Sequence, residues 1–372
     1  MEIVISTSFG LEAVLKRELY NLGYENVKAS DGKISVEGNL MDIARFNVNL
    51  RTADRVFIKL AEFKATTFDE LFDSCYKINW SEYIDKDNLI LLNGHCSNSQ
   101  LMAIKVSGGI IKKSIVKNLQ QKYKCELLET GSRVNVFFNI NKDIVSIYLD
   151  TSGEGLHKRG YRKYTHSAPI KETLGAGLVL LSVYNKEKPF ADLFCGSGTL
   201  AIETALIAKN IAPNINRNFD FEKWKIYNSD VVSIAKKEAK EREVDCKPNI
   251  YACDIDEKAI EIAKLNASRA GVLKDIKFEV RDMKNFKSKE SFGVIISNPP
   301  YGERIGNVEE IQHTLKDLNK VVNQLKTWSC YLITDEKNLE RLWNKKATKK
   351  RKLYNSNIEC VYYSFMGPKP VK

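Results

Sequence analysis

Residues 297–306 read SNPPYGERIG. Proline lacks an N–H, fixes its own φ and drives the residue before it into extended backbone, so Asn298 and Pro299 are both barred from helix. The run is a stiff corner that offers carbonyl oxygens without competing amide donors. Upstream, FGVII at 292–296 is a short apolar, β-branched run of the kind that forms a buried strand. The corner then falls at a strand's C-terminal end, where open α/β sheets bind ligands. The Asn298 side-chain oxygen and the Pro299 carbonyl could together accept both hydrogens of an exocyclic nucleobase amine, localising its lone pair and stabilising positive charge as it grows on nitrogen. Tyr301 could stack on the same base, while Pro300 keeps the acceptors rigid. An amine alkylated in this way is acidic enough to lose its proton to solvent or to a nearby carboxylate. Asp335, closing the WSCYLITD segment, is one such neighbour. A plain turn after a strand also explains Asn-Pro-Pro, but not the aromatic residue beside it.

A second run, DLFCGSGTLAIETALIA (192–208), reads as buried strand, glycine turn and helix. Gly196 and Gly198 allow a tight turn and close approach of a ligand to the backbone, and the helix N-terminus adds N–H groups and positive dipole. A G-x-G turn alone is compatible with nicotinamide, flavin or methyl-donor cofactors. A nicotinamide site expects a third glycine and an acid about 20 residues on, yet Ala201 replaces that glycine and the next strand-ending acid is Asp254 in YACDID. Asp282 closes the following strand in KFEVRDM. Acids ending the second and third strands, after a GSG turn on the first, fit S-adenosylmethionine, one accepting from ribose hydroxyls and the other from the adenine amine. Asp254 or Asp256 could alternatively cap the helix that follows.

At 372 residues the chain exceeds one compact core and points to two or three domains. No apolar run approaches the ~20 residues that span a bilayer, and MEIVISTSFG lacks signal-peptide features, so the expected location is the cytoplasm with no membrane partner. The eight cysteines form no C-x-x-C pair, so neither a metal site nor a disulfide framework is expected. Lys and Arg number 58 against 47 Asp and Glu, a net charge of +11 that suits either a polyanionic partner or mere solubility.

The first part reads as small α+β units. EIVIST is a strand, LEAVLKRELYNLG a helix closed by Gly23, and a hairpin turns at Asp31-Gly32 before LMDIARFNVNL and RVFIKLAEF repeat helix and strand. From Thr66 the theme resumes with TTFDELFDSCYKI, NLILLNGHCS, GGIIKKSIVKNLQQKYK and the strands RVNVFFNI and DIVSIYLD. In the long helix, Lys112, Lys113 and Lys117 flank a stripe of Ile111, Ile115, Val116 and Leu119, as a solvated face or an RNA-binding one. TSGEGLHKRGYRKYTHSAP (151–169) then interleaves Lys158, Arg159, Arg162 and Lys163 with His157, Tyr161, Tyr164 and His166. Such a mixture can hold phosphates and stack on unpaired bases, or serve as a basic linker. From Ile170 strands alternate with helices, which argues for a parallel sheet covered on both faces, with NSNIECVYYSF a last antiparallel strand. KKATKKRK (345–352) is a solvated loop or an RNA-facing one.

In combination, DLFCGSGT, CDID, RDM and NPPYGERIG, with LHKRGYR, HSAPIKE and NFDFEKW, resemble the THUMP-domain RNA methyltransferases. Within them the chain is most similar to the bacterial enzymes that make N2-methylguanosine in large-subunit ribosomal RNA. The resemblance implies an α/β chain with a ferredoxin-like domain at 1–64, a THUMP RNA-binding domain at 65–152 and a basic, aromatic linker at 153–168. A Rossmann-like methyltransferase domain with a mostly parallel seven-stranded sheet would follow at 169–372. It implies S-adenosylmethionine as donor, with Asp192, Phe194, Gly196, Gly198 and Thr199 in the donor loop, Asp254 at the ribose and Asp282 at the adenine. His166 and Pro169 would approach the donor, and Asn298, Pro299, Pro300 and Tyr301 the reacting amine. NPP in place of DPP favours guanine N2 over adenine N6. Gly175 and Gly177 stand where the family usually has alanines, so that helix is expected to be irregular. A transfer-RNA or DNA amino-methylase and a non-catalytic RNA-binding or ribosome-assembly factor remain alternatives, and monomer and homodimer are both open.

Overall fold

In this computed structural model, which describes residues 1–163, 169–227, 230–300 and 308–369, the chain builds two seven-stranded sheets. The first unit runs β1 (Glu2–Thr7), α1 (Glu12–Asn21), β2 (Val27–Ser30), β3 (Lys33–Glu37), α2 (Leu40–Asn49), β4 (Ala53–Lys64), α3 (Phe68–Tyr76), β5 (Leu89–Ser97), α4 (Ile104–Tyr123), β6 (Arg133–Asn141) and β7 (Ile144–Asp150). Burial alternates along β3 and β6, which turns one face of each strand toward the core. The strand order is β2-β3-β1-β4-β7-β6-β5. The two expected N-terminal units therefore share one sheet, because β4 pairs with β1 on one side and with β7 on the other, from Phe57↔Asp150 to Lys64↔Ile144.

The second unit comprises α5 (Glu172–Leu181), β8 (Phe190–Asp192), α6 (Thr199–Ala208), α7 (Val231–Glu241), β9 (Ile250–Asp254), α8 (Glu257–Arg269), β10 (Ile276–Val280), β11 (Val294–Ser297), α9 (Val308–Gln324), β12 (Ser329–Thr334), α10 (Leu339–Leu342), β13 (Lys349–Asn355) and β14 (Ile358–Phe365). Its order is β10-β9-β8-β11-β12-β14-β13, with β8 to β12 parallel and β14 antiparallel to β12. Strands β8, β11 and β12 are buried along their whole length, which is why they read as unbroken apolar runs. The order reverses between β8 and β11, and a crevice opens there at the strands' C-terminal ends.

Three features depart from the sequence expectation. The loop expected at 345–352 is in part an edge strand, paired with β14 from Lys349↔Ser364 to Asn355↔Ile358. Leu353 and Asn355 turn inward, but the exposed cations at 349–352 hide the alternation. Helix α5 is regular: a Cβ on Gly177 would stand 2.6 Å from Leu11 Cδ1, and one on Gly175 3.2 Å from Thr199 Cγ2. Those glycines are the condition for close packing of α5. Finally, a stretch inside 169–372 serves the other unit, since Phe219, Phe221, Trp224, Val232 and Ala235 pack in the core of the first sheet. Arg45 of α2 fastens it with two bonds to Glu238, at 2.8 and 2.7 Å.

Candidate active site

A cleft of about 510 Å³ lies at the C-terminal ends of β8, β9, β10 and β11. Asp192, Phe194, Gly196, Thr199, Asp254, Asp282, Pro169, Asn298, Pro299 and Pro300 all line it. Separate stretches of sequence thus converge on one cavity. His166 and Tyr301 lie outside the described residues. Asp335 follows β12 without lining the cleft, and a larger hollow of about 870 Å³ beside Lys209 and Asp275 holds none of these groups.

The turn is built as its glycines require. Gly196 and Gly198 have φ of +50° and +83°, the left-handed region that glycine enters freely. Gly198 is the N-cap of α6, and a Cβ there would meet Ala263 at 3.0 Å, so it packs against α8 and is not itself a wall of the cleft. Asp254 does not cap α8; that role belongs to Asp256, which accepts from Lys258 N at 2.9 Å. Asp254 Oδ2 instead accepts from Gly196 N at 2.8 Å and Oδ1 from Asp256 N at 3.1 Å. Each oxygen keeps a further lone pair. Asp282 caps a single turn through Lys284 N at 2.9 Å.

Asp192 is 1% exposed, and burial pushes its carboxyl up from 3.8 to about 7, against the hydrogen bonds that draw it down and with the nearby Asp254 charge adding to the rise. Its Oδ1 accepts from Phe194 N at 3.2 Å and from Ser297 Oγ at 3.0 Å. Ser297 Oγ also accepts from Leu193 N at 2.9 Å. This serine, one residue before the corner, ties β11 to the glycine turn. A small polar residue closing an apolar strand was its only sequence signal. Asn266 of α8 is a second residue without an earlier assignment: its Nδ2 donates to Ser197 O at 3.1 Å and holds the turn from behind.

At the corner, Asn298 Oδ1 is buried and has no hydrogen-bond partner among the described residues. Such an acceptor is expensive to leave unmade, by about 1–3 kcal/mol, and it stands in a wall of the cleft. A donor arriving in the cavity would relieve it. The same cavity suits a methyl-donor nucleoside: a turn in which Gly196 carries no side chain, Asp254 with lone pairs to spare and Asp282 just beyond the next strand.

The basic linker needs correction. Arg159 and Tyr161 are each 4% exposed and cannot reach RNA. Arg159 donates to Leu156 O at 2.7 Å and to Arg51 O, and its Nε lies 3.6 Å from Glu203 Oε1. The Tyr161 hydroxyl donates to the same Glu203 oxygen at 2.9 Å. Arg162 also turns inward, pairing with Glu172 and donating to Ile170 O at 3.0 Å. These residues bolt the linker to α5 and α6. His157 is half-buried, which, with Lys171 nearby, lowers its pKa to about 4 and leaves it uncharged at neutral pH. Lys113, Lys117, Lys158 and Lys163 are exposed; Lys158 pairs with Glu154 at 3.0 Å, and Lys112 with Glu129 at 2.7 Å.

The cleft and the sheet that carries it define a Rossmann-like methyltransferase. The description "RMKL-like, methyltransferase domain" matches residues 159–364, "RlmL ferredoxin-like domain" residues 2–57 and "THUMP domain" residues 65–150. The chain belongs to this RMKL-like methyltransferase family, whose fold uses S-adenosylmethionine. It is 42% identical over 367 residues to "Putative RNA methyltransferase YpsC" of Bacillus subtilis, covering 98% of this chain and 95% of that one. It is 33% identical over 382 residues to "Ribosomal RNA large subunit methyltransferase K/L" of Buchnera aphidicola, covering 98% of this chain and 54% of the relative, so it spans about half the length of that enzyme. Among solved structures, SMU.472 complexed with SAH superposes with a TM-score of 0.94 at 36% identity, covering 100% of this chain and 99% of that one. A protein from Listeria monocytogenes described as a "predicted N6-adenine-specific DNA methylase" does so at 0.93 and 42%, over 99% and 96%.

Proposed function

We propose that this chain transfers a methyl group from S-adenosylmethionine to the exocyclic N2 amine of a guanosine in large-subunit ribosomal RNA, in the cytoplasm. The observation that carries the reading is the buried Asn298 Oδ1, without a partner among the described residues, in the wall of the cavity that also contains the glycine turn and Asp254. The donor supplies an electrophilic methyl on a sulfonium. Gly196 and the first turn of α6 bind it by backbone, Asp254 takes its ribose and Asp282 its adenine. Asn298 Oδ1 and the Pro299 carbonyl accept the two N–H groups of the amine, orient its lone pair and stabilise the charge that forms on nitrogen. The two prolines add no N–H that would compete for these acceptors. The extra proton leaves to solvent. Lys113, Lys117, Lys158 and Lys163 are the exposed cations of the earlier set that remain suited to phosphate.

The test is to incubate the protein with labelled donor and separate pools of large-subunit ribosomal RNA, small-subunit ribosomal RNA, transfer RNA and DNA, then digest and identify the nucleoside. N2-methylguanosine from the large-subunit pool is expected. N6-methyladenosine or label in DNA would transfer the reading to the chemistry named for the Listeria relative. No label in any pool would favour a non-catalytic RNA-binding factor.

A further inference from the structure

The cations of β13 stand beside an aromatic pair that the functional reading leaves unused. Phe9, in the loop between β1 and α1, is 49% exposed, and its ring meets Tyr354 edge-on at 6.0 Å. Lys352 Nζ lies 5.4 Å from the centre of the Tyr354 ring. The loop is fixed to the strand: Arg351 donates to Gly10 O at 2.9 Å, and a Cβ on Gly10 would lie 2.8 Å from Lys352 O. It is fixed at its other end by Ser8 Oγ, which donates to Asp54 at 3.2 Å. Phe9 is thus held outward on a rigid seam between the N-terminal unit and the far edge of the second sheet.

The seam faces the same end of the sheet as the cleft. Ser297 pairs with Leu332, Thr334 with Val361, and Tyr354 with Glu359, so Tyr354 sits at the C-terminal rim with Asn298. Three inter-strand steps separate β13 from β11, roughly 14 Å at ~4.8 Å per step. The four cations at 349–352 meet two acids among the described residues. Lys350 pairs with Glu340 and Lys352 with Glu359, both at 2.7 Å, while among the described residues Lys349 has no ion pair and the Arg351 side chain is met only by the Gly10 carbonyl.

We propose that this seam is a docking surface for the RNA substrate: an unpaired base stacks on Phe9, and Lys349, Lys350 and Arg351 take the phosphates that follow. It rests on the reading of the chain as an RNA methyltransferase. Aromatic rings interleaved with cations hold single strands in this manner. A simpler role for the cations, keeping an exposed sheet edge from pairing with another chain, would leave Phe9 without a task.

The test compares Phe9→Ala, Phe9→Trp and the double variant Lys349→Gln/Lys350→Gln with the wild-type protein. It measures Kd for large-subunit ribosomal RNA across a salt series, with SAH affinity and melting temperature as folding controls. Phe9→Ala should weaken RNA binding at least about fivefold, and Phe9→Trp should restore it. The lysine variant should weaken binding and reduce the slope of log affinity against log salt by about 1.4 for two lost single-strand contacts. Unchanged RNA affinity in both variants overturns the proposal, as does a lysine variant that self-associates while binding RNA like the wild type. RNA affinity reads the seam and methyl transfer reads the function. Wild-type protein that binds RNA without methylating it would therefore refute the activity while leaving the seam to be judged on its own variants.

Discussion

The substitution Asp192→Asn should change how stability depends on pH. The buried carboxyl titrates near 7 in the folded protein against 3.8 ordinarily, because burial opposes its charge. A raised folded value means stability that is fully present below about pH 4 and lost as pH climbs through 7. A shift of about 3 units corresponds to about 4 kcal/mol. The asparagine side chain would keep an Oδ1 to accept from Phe194 N and Ser297 Oγ, with its amide toward the cleft. The variant should therefore lack this loss. Spread over the unfolding entropy of a 372-residue chain melting as one unit, 4 kcal/mol is a melting-temperature difference of about 5 °C. Differential scanning calorimetry of both proteins from pH 4 to pH 8 should show the variant gaining on the wild type by about that amount. Titrating groups that do not sense Asp192 cancel in the difference. A difference that stays flat, or one in which the wild type gains as pH rises, would mean that Asp192 is ionised at low pH and that the account of its burial is wrong.

Two further substitutions probe the packing behind the site. Glu203→Ala would strand the Arg159 guanidinium and the Tyr161 hydroxyl in a buried joint and should destabilise by about 3 kcal/mol; chemical denaturation should find Arg159→Met/Glu203→Leu closer to the wild type than the single variant. Gly177→Ala should destabilise by about 1–3 kcal/mol because Leu11 occupies the place of the new methyl, although helix propensity alone predicts a gain of up to about 1 kcal/mol; a higher melting temperature in the variant would refute the packing argument.

The strands and helices were legible wherever one periodicity dominated, as in β6 or the buried run of β11. The glycine turn, Asp254, Asp282 and the Asn-Pro-Pro corner were legible as neighbours because each follows an apolar strand, and the structure brings them to one cleft. What the sequence concealed was partnership. Arg159 and Arg162 read as surface cations because the acids that neutralise them, Glu203 and Glu172, lie in later segments; an acid inside the apolar TLAIETALIA helix was the clue that an inward cation was needed. Gly175 and Gly177 looked like defects because their cause, the closeness of Leu11 and Thr199, is tertiary. The shared first sheet was hidden for a similar reason: β4 is long enough to serve two units, and local pattern does not show what lies on a strand's second edge.

The central claim is that Asn298 stabilises the reacting amine without holding the donor. Single-turnover methyl transfer to large-subunit ribosomal RNA by Asn298→Ala, with SAH affinity measured in parallel by calorimetry, tests it most directly. The account predicts a rate lower by about 100-fold or more with SAH affinity within about twofold of the wild type. Transfer at the wild-type rate, or a loss of SAH affinity that matches the loss of rate, would contradict it.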